Sequence, residues 1–158
     1  MAEPQPSRRR RSPDSAQLRA WRSYVETSER VRSVVGSRLL EESGLSSADY
    51  SVLLALFDHD EQRMRSSQLA ETIGWERSRL SHHLARMERR GLVGRAPSAD
   101  DSRGAEVLLT EHGRTEFRAA SASHLHAVRE VFVDALTPAQ LDALGSASEA
   151  LAAHLARH

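Results

Sequence analysis

Between Ser66 and Ala85 the chain reads SSQLAETIGWERSRLSHHLA, and this stretch restricts the fold more than any other. Leu69, Ala70, Ile73, Gly74, Trp75, Leu80 and Leu84 carry the spacing of two short helices joined by a tight turn. Ala70 is small where the helices would cross, Gly74 accepts the positive φ that the turn demands, and the apolar positions clamp the second helix at a set angle. Ser66 or Ser67 is the expected cap of the first helix, which runs through Ile73. The second spans about Glu76 to Arg90, with Gly91 as its stop.

At ~100° per residue, Leu80, Leu84 and Met87 fall within about 60° of one another and define a buried side. Ser78, His82, Arg86 and Arg89 then face away from it. Two β-prone runs follow, Leu92 to Ala96 and Ala105 to Leu109, separated by PSADDSRG, whose Pro, Ser, Asp and Gly content marks a hairpin loop. The expectation is a helix-turn-helix followed by a two-stranded wing.

Formal charge over the 158 residues is zero, with 22 basic and 22 acidic side chains, but it is unevenly spread. Residues 62–96 hold 8 arginines against 3 acids, whereas residues 1–61 hold 9 against 10. Basic charge concentrated in a neutral chain is the footprint of a polyanion-binding module on an ordinary scaffold. Lysine and asparagine are absent, a bias attributable to a GC-rich coding sequence, so an arginine here is weak evidence of selection for bidentate bonding, although it keeps that geometry. A helix of this diameter fits the major groove of duplex DNA. Arg77, Ser78, Arg79, Ser81 and His82 are then the candidates nearest the bases, with Arg86 nearer phosphate; the competing reading is a solvated basic helix face.

Around this segment the chain divides into four parts. Residues 1–16 combine three prolines with the run Arg8 to Arg11 and read as a disordered basic arm. Residues 17–45 carry Leu18, Trp21, Val25, Val31, Val35 and Leu39 on one stripe of a long helix that Gly44 ends. Residues 46–109 open with a helix capped by Ser46 or Ser47 that buries Tyr50, Leu53, Leu54 and Phe57 and closes in the polar stretch Asp58 to Arg63, then continue into the helix-turn-helix and wing. Residues 110–158 start at Thr110, the cap of a helix with Phe117, Leu125, Val128, Phe132 and Leu136 on its apolar side. Thr137, Pro138 and Gln140 supply a cap, a proline at the first helical position and a capping box. Leu141, Leu144, Leu151 and Leu155 stripe the last helix.

The fold class is therefore mostly α with a small β-wing: a winged helix-turn-helix lobe plus a helical dimerisation region formed by the N- and C-terminal helices. Long helices with apolar stripes and little sequence left to cover them are better satisfied by a second copy than by solvent; an intramolecular bundle is the alternative.

Several classes of function are disfavoured. Without cysteine there are no disulfides, thiolate nucleophiles, cysteine zinc sites or thiol redox sensors. His82 and His83 diverge by ~100° on a helix and His124 and His126 diverge further, so no compact ligand motif emerges and neither metal nor cofactor is expected. No nucleophile elbow, phosphate-binding glycine loop or H-E-x-x-H motif occurs, so no catalytic residue is assigned; a hydrolase would need Ser81, Ser102 or another serine to react with an active-site probe. The longest apolar run, Val52 to Phe57, is far short of the roughly 18 residues that span a bilayer, and no apolar stretch follows the basic N-terminal residues. A cytoplasmic protein with no membrane partner is expected.

Three segments together, SSQLAETIG continuing into WERSRLSHHLARMERRGLVGR, the wing element DDSRG with its D-x-R pair, and LTEHGR, resemble the multiple antibiotic resistance regulator (MarR) family, and the likeness extends over Gln17 to Arg157. The resemblance implies a homodimeric, sequence-specific regulator of transcription, a ligand-responsive repressor on a pseudo-palindromic double-stranded operator. It also implies that Arg103 at the wing tip enters the minor groove and that Asp101 positions it through a salt bridge. Members of the family often bind small amphipathic, frequently aromatic acids between their dimerisation and DNA-binding regions. Trp21, Tyr24 and His124 are the candidate walls of such a pocket, with His112 in the same region; for Trp21 the alternative is a place in the helical core. From a different class, the competing function is a non-sensing architectural or protein-interaction winged-helix module.

Overall fold

Asp14 starts the first helix. Its carboxylate accepts hydrogen bonds from the backbone N–H groups of Ala16 and Gln17, while the Gln17 side chain accepts from the Asp14 N–H. This capping box launches α1 (Ser15–Ser43), which Gly44 ends at φ 69°. The computed structural model describes residues 12–97 and 105–157, and within it the helix begins two residues earlier than the apolar stripe predicts. The arm therefore does not reach residue 16, and Arg8 to Arg11 lie outside the described residues.

Ser46 caps α2 (Ser47–Phe57) in a second reciprocal box with Asp49. Asp49, Val52, Leu53 and Leu56 are buried, Tyr50 and Phe57 are half-buried, and Leu54 is exposed, contrary to expectation. Because α2 is apolar nearly all round, periodicity could not choose its inner face; packing against the neighbouring helices does.

A strand absent from the sequence reading, β1 (Arg63–Arg65), leads directly into α3 (Ser66–Ile73). Neither Ser66 nor Ser67 caps that helix: both are already helical, and Arg65, still extended at ψ 140°, occupies the cap position with no side-chain hydrogen bond to the helix's first turn. Gly74, at φ 68°, makes the turn, and the Trp75 N–H donates to the Ala70 carbonyl at 2.8 Å before α4 (Arg77–Arg89) begins. Then come β2 (Val93–Pro97) and β3 (Ala105–Leu109). The sheet order is β1-β3-β2, antiparallel throughout, with Met64 and Arg95 both in register with Val107 on the central strand. The wing is therefore three-stranded at its base. Asp101, Ser102 and Arg103 fall in the connection outside the described residues.

Thr110 caps α5 (Glu111–Val128) as expected, and its hydroxyl also donates to the Gly91 and Leu92 carbonyls, fastening the end of α4 to the start of α5. α5 does not run on to Leu136. It passes into a π-helical turn over Arg129–Val133, and Thr137 with Pro138 opens α6 (Pro138–Leu155) through the anticipated capping box. The core joins α2, α3, α4 and the sheet to Phe117 and Ala120 of α5. In contrast, α6 buries none of its residues, and Leu18, Trp21, Leu125, Leu151 and Leu155 stand between 42% and 71% exposed. No helix among the described residues is long and apolar enough to cross a membrane.

Candidate nucleic-acid interface

Helix α4 is anchored by Leu80, Leu84 and Met87, each no more than 1% exposed. Its remaining faces display Arg77, Ser78, Arg79, Ser81, His82, Arg86 and Arg89, all exposed. Arg95 on β2 meets Glu88 at 3.0 Å and ties the C-terminal half of α4 to the wing. The helix thus presents hydroxyl, imidazole and guanidinium groups, donors and acceptors suited to base edges and phosphates.

Beneath this face lies a polar cluster that the sequence reading did not assign. His83 of α4 and Asp49 of α2 are both buried, with His83 Nε2 3.0 Å from Asp49 Oδ1. Arg90 donates to the other Asp49 oxygen at 2.8 Å and, from its second terminal nitrogen, to the Gly44 carbonyl at the end of α1 at 2.9 Å. Arg86, expected nearer phosphate, lies with a terminal nitrogen 2.7 Å from His83 Nδ1. Burial pushes the Asp49 carboxyl upward, but the hydrogen bonds from Ser46 and Arg90 and the Arg90 charge outweigh it, leaving a net downward shift. Burial drives the His83 imidazole below its ordinary value, the Arg86 and Arg79 charges act in the same sense, and Asp49 opposes them. Two signals were available: Asp49 is the one charged residue in a mainly apolar helix, and His83 lies on the flank of the Leu80–Leu84–Met87 arc.

Arg79 is also engaged with its own protein. Its guanidinium carbon sits 4.3 Å from the centroid of the Trp75 ring, and Trp75 meets the His83 ring edge-on at 5.3 Å. Of the six side chains expected on this face, Arg77, Ser78, Ser81 and His82 point into solvent without complication, whereas Arg79 and Arg86 rest on Trp75 and His83.

Two clefts open along α1, and the first borders the lobe. The first, of about 400 Å³, is walled by α1, α2, α5 and the π-helical turn, and is lined by Arg32, Tyr50, Leu54, His124 and Phe132 among others. The exposure of Leu54 follows from its place here. His124 stacks at 4.4 Å on Tyr50; its Nδ1 is buried with no hydrogen-bond partner among the described residues, and burial lowers its pKa. The second, of about 640 Å³, lies between α1, the π-helical turn and α6 and includes Tyr24. Trp21 lines neither and, at 62% exposed, is no core residue within the protomer. Its ring lies 6.4 Å from that of Tyr24 on the next turn of α1. His112 is an exposed residue 4.0 Å from Glu116. Among the described residues, no three His, Asp or Glu side chains are grouped to hold a metal ion.

A three-stranded wing behind a helix-turn-helix, flanked by long helices whose apolar stripes are partly uncovered, defines a winged-helix regulator. A sequence profile described as the MarR family matches residues 43–104. The structure superposes on that of AbsC, a MarR family transcriptional regulator from Streptomyces coelicolor, with a TM-score of 0.86 and 34% identity, covering 94% of this chain and 99% of the other. Sco3205, a MarR family regulator from the same organism solved in complex with DNA, gives a TM-score of 0.84 and 32% identity over 90% and 89% of the two chains. The transcriptional repressor YetL of Bacillus subtilis is 25% identical over 77% of this chain and 74% of its own length. A further helix-turn-helix regulator of that organism matches over 62% of its own length. The chain belongs to the MarR family of DNA-binding transcriptional regulators. Its family and fold are those of regulators, not of enzymes.

Proposed function

We propose that this protein is a homodimeric, sequence-specific reader of double-stranded DNA that binds a pseudo-palindromic operator and acts as a ligand-responsive repressor in the cytoplasm. The observation that carries the reading is α4 itself: a helix anchored by three buried apolar residues and presenting a polar, arginine-rich outer face. Residues 46–109 form the reading lobe; residues 17–45 and 110–158 join the two copies. Arg77, Ser78, Arg79, Ser81 and His82 contact base edges and Arg86 lies nearer phosphate, while Arg103 enters the minor groove with Asp101 supporting it. The DNA complex of Sco3205 and the repressor designation of YetL support the partner and the sign of regulation.

An amphipathic or aromatic small molecule is the proposed effector, seated in the α1–α2–α5 cleft beside Tyr50 and His124. Such a ligand releases DNA only as far as it prefers one spacing of the two reading helices over the other. The test is selection of bound fragments from a random duplex pool, followed by screening for small molecules that release the preferred site. Enrichment of a two-fold symmetric sequence is the expected result. Binding that ignores sequence would instead favour an architectural or protein-interaction module. In a mobility-shift titration, Arg103→Ala is expected to weaken operator binding while leaving the dimer intact.

A further inference from the structure

We propose that Trp75 is a positioning residue for DNA reading: its indole face holds the Arg79 guanidinium in place at the start of the recognition helix before DNA arrives. The inference rests on the reading of α4 given above and goes beyond it by assigning a role to a residue of the turn. Trp75 stands between α3 and α4, half-buried against the core, with its backbone N–H bonded to the Ala70 carbonyl at 2.8 Å. Its ring is backed edge-on by His83, which is itself buried against Asp49. The platform is therefore fixed from the core side, and Arg79 lies over it at 4.3 Å.

A cation over an aromatic face is held by the ring quadrupole, and indole is the strongest such face among side chains. A guanidinium held over a ring face keeps N–H donors for hydrogen bonding, and paired acceptors on a guanine edge call for two of them. A free arginine loses much of its rotamer freedom when a base captures it; one already ordered on Trp75 loses less. Trp75 acts through Arg79 and touches no base itself.

The experiment uses the full chain and a duplex enriched from a random pool by the wild-type protein, with a scrambled duplex as reference. Trp75→Leu is expected to lower the preference for the enriched site by roughly 3- to 5-fold, with scrambled-duplex affinity little changed. Trp75→Phe, which keeps a ring face, is expected to retain most of the preference. In an Arg79→Ala background Trp75→Leu is expected to have no further effect. Equal effects of Trp75→Leu in both backgrounds, or parallel loss on both duplexes, would overturn the assignment and leave the reading helix intact as a proposal. Failure of the wild type to enrich any sequence would sink both. Independently of how the variants fold, the Arg79 Nε–H resonance of the free protein is expected upfield of solvent-averaged arginine, under the ring current of Trp75; an averaged position overturns the proposal.

Discussion

His83 on α4 and Asp49 on α2 meet inside the lobe with Nε2 3.0 Å from Oδ1, and the same imidazole turns Nδ1 toward Arg86 at 2.7 Å. An arginine only donates, so Nδ1 accepts and the proton of the neutral ring resides on Nε2, facing the carboxylate. Adding a second proton would set an N–H against a guanidinium. The recognition helix is therefore seated on a histidine that works in its neutral form.

Stability is expected to fall on acidification. His83 is shifted downward by burial and by the Arg86 and Arg79 charges against the pull of Asp49, and His124 downward by burial. A group whose folded pKa lies below its unfolded value stabilises the fold above the unfolded value, about 6.5 for histidine, and loses that contribution as pH falls through the folded one. Thermal midpoints measured between pH 7.5 and pH 5 should therefore decline. His83→Gln and His124→Phe should each remove part of the slope, and the double variant most of it. A wild-type slope preserved in the double variant would assign the effect elsewhere.

Removing the carboxylate is expected to cost more than removing its guanidinium. Asp49→Ala removes the acceptor of Arg90 and the carboxylate beside His83 and undoes the Ser46 capping box, so a loss of about 2–4 kcal/mol is expected in urea unfolding. Arg90 is 44% exposed on its side chain, and Arg90→Ala is expected to cost about 1 kcal/mol. Equal losses would show that the buried carboxylate carries no special weight.

Gly113 admits no side chain. A Cβ built there would fall well inside contact distance of the Leu92 backbone carbonyl, where no flexible atom can yield. Gly113→Ala is expected to destabilise by about 3 kcal/mol or more, read by chemical unfolding. Gly74→Ala, with nothing near its Cβ position but a φ of 68°, is expected to cost less, through backbone strain alone.

Leu151 and Leu155 on α6, 51% and 71% exposed in the protomer, are the positions where the proposed dimer is most open to disruption. Leu151→Asp with Leu155→Asp is expected to yield a monomer by sedimentation at micromolar concentration, with the lobe still folded. A dimer unaffected by both changes would remove α6 from the interface.

Much of the lobe was legible without coordinates because its signals are local. Gly74 and Gly91 mark turns, Thr110 and Thr137 mark helix starts, and Leu80, Leu84 and Met87 repeat at helical spacing. Where the signal needed a distant partner, the reading fell short. β1 is three residues long with Met64 as its one buried side chain, and only pairing with β3 makes it a strand. Leu54 and Val52 are equally apolar, yet one lines a cleft and the other enters the core. Trp21 shares the spacing of Val35 and Leu39, which are buried, but stands several turns N-terminal to them on the part of α1 that the core does not reach.

The interface residues divide along the same line. That α4 turns Ser78, His82 and the arginines outward follows from the positions of three apolar residues on its own turns, since burying that side leaves the rest to face water. That Asp49 would reach His83 and Arg90, 34 and 41 positions away, and that Trp75 would lie under Arg79, depended on how α2, α3 and α4 stack. Periodicity is set by backbone geometry within one helix, whereas a contact between elements exists only once the chain has closed on itself.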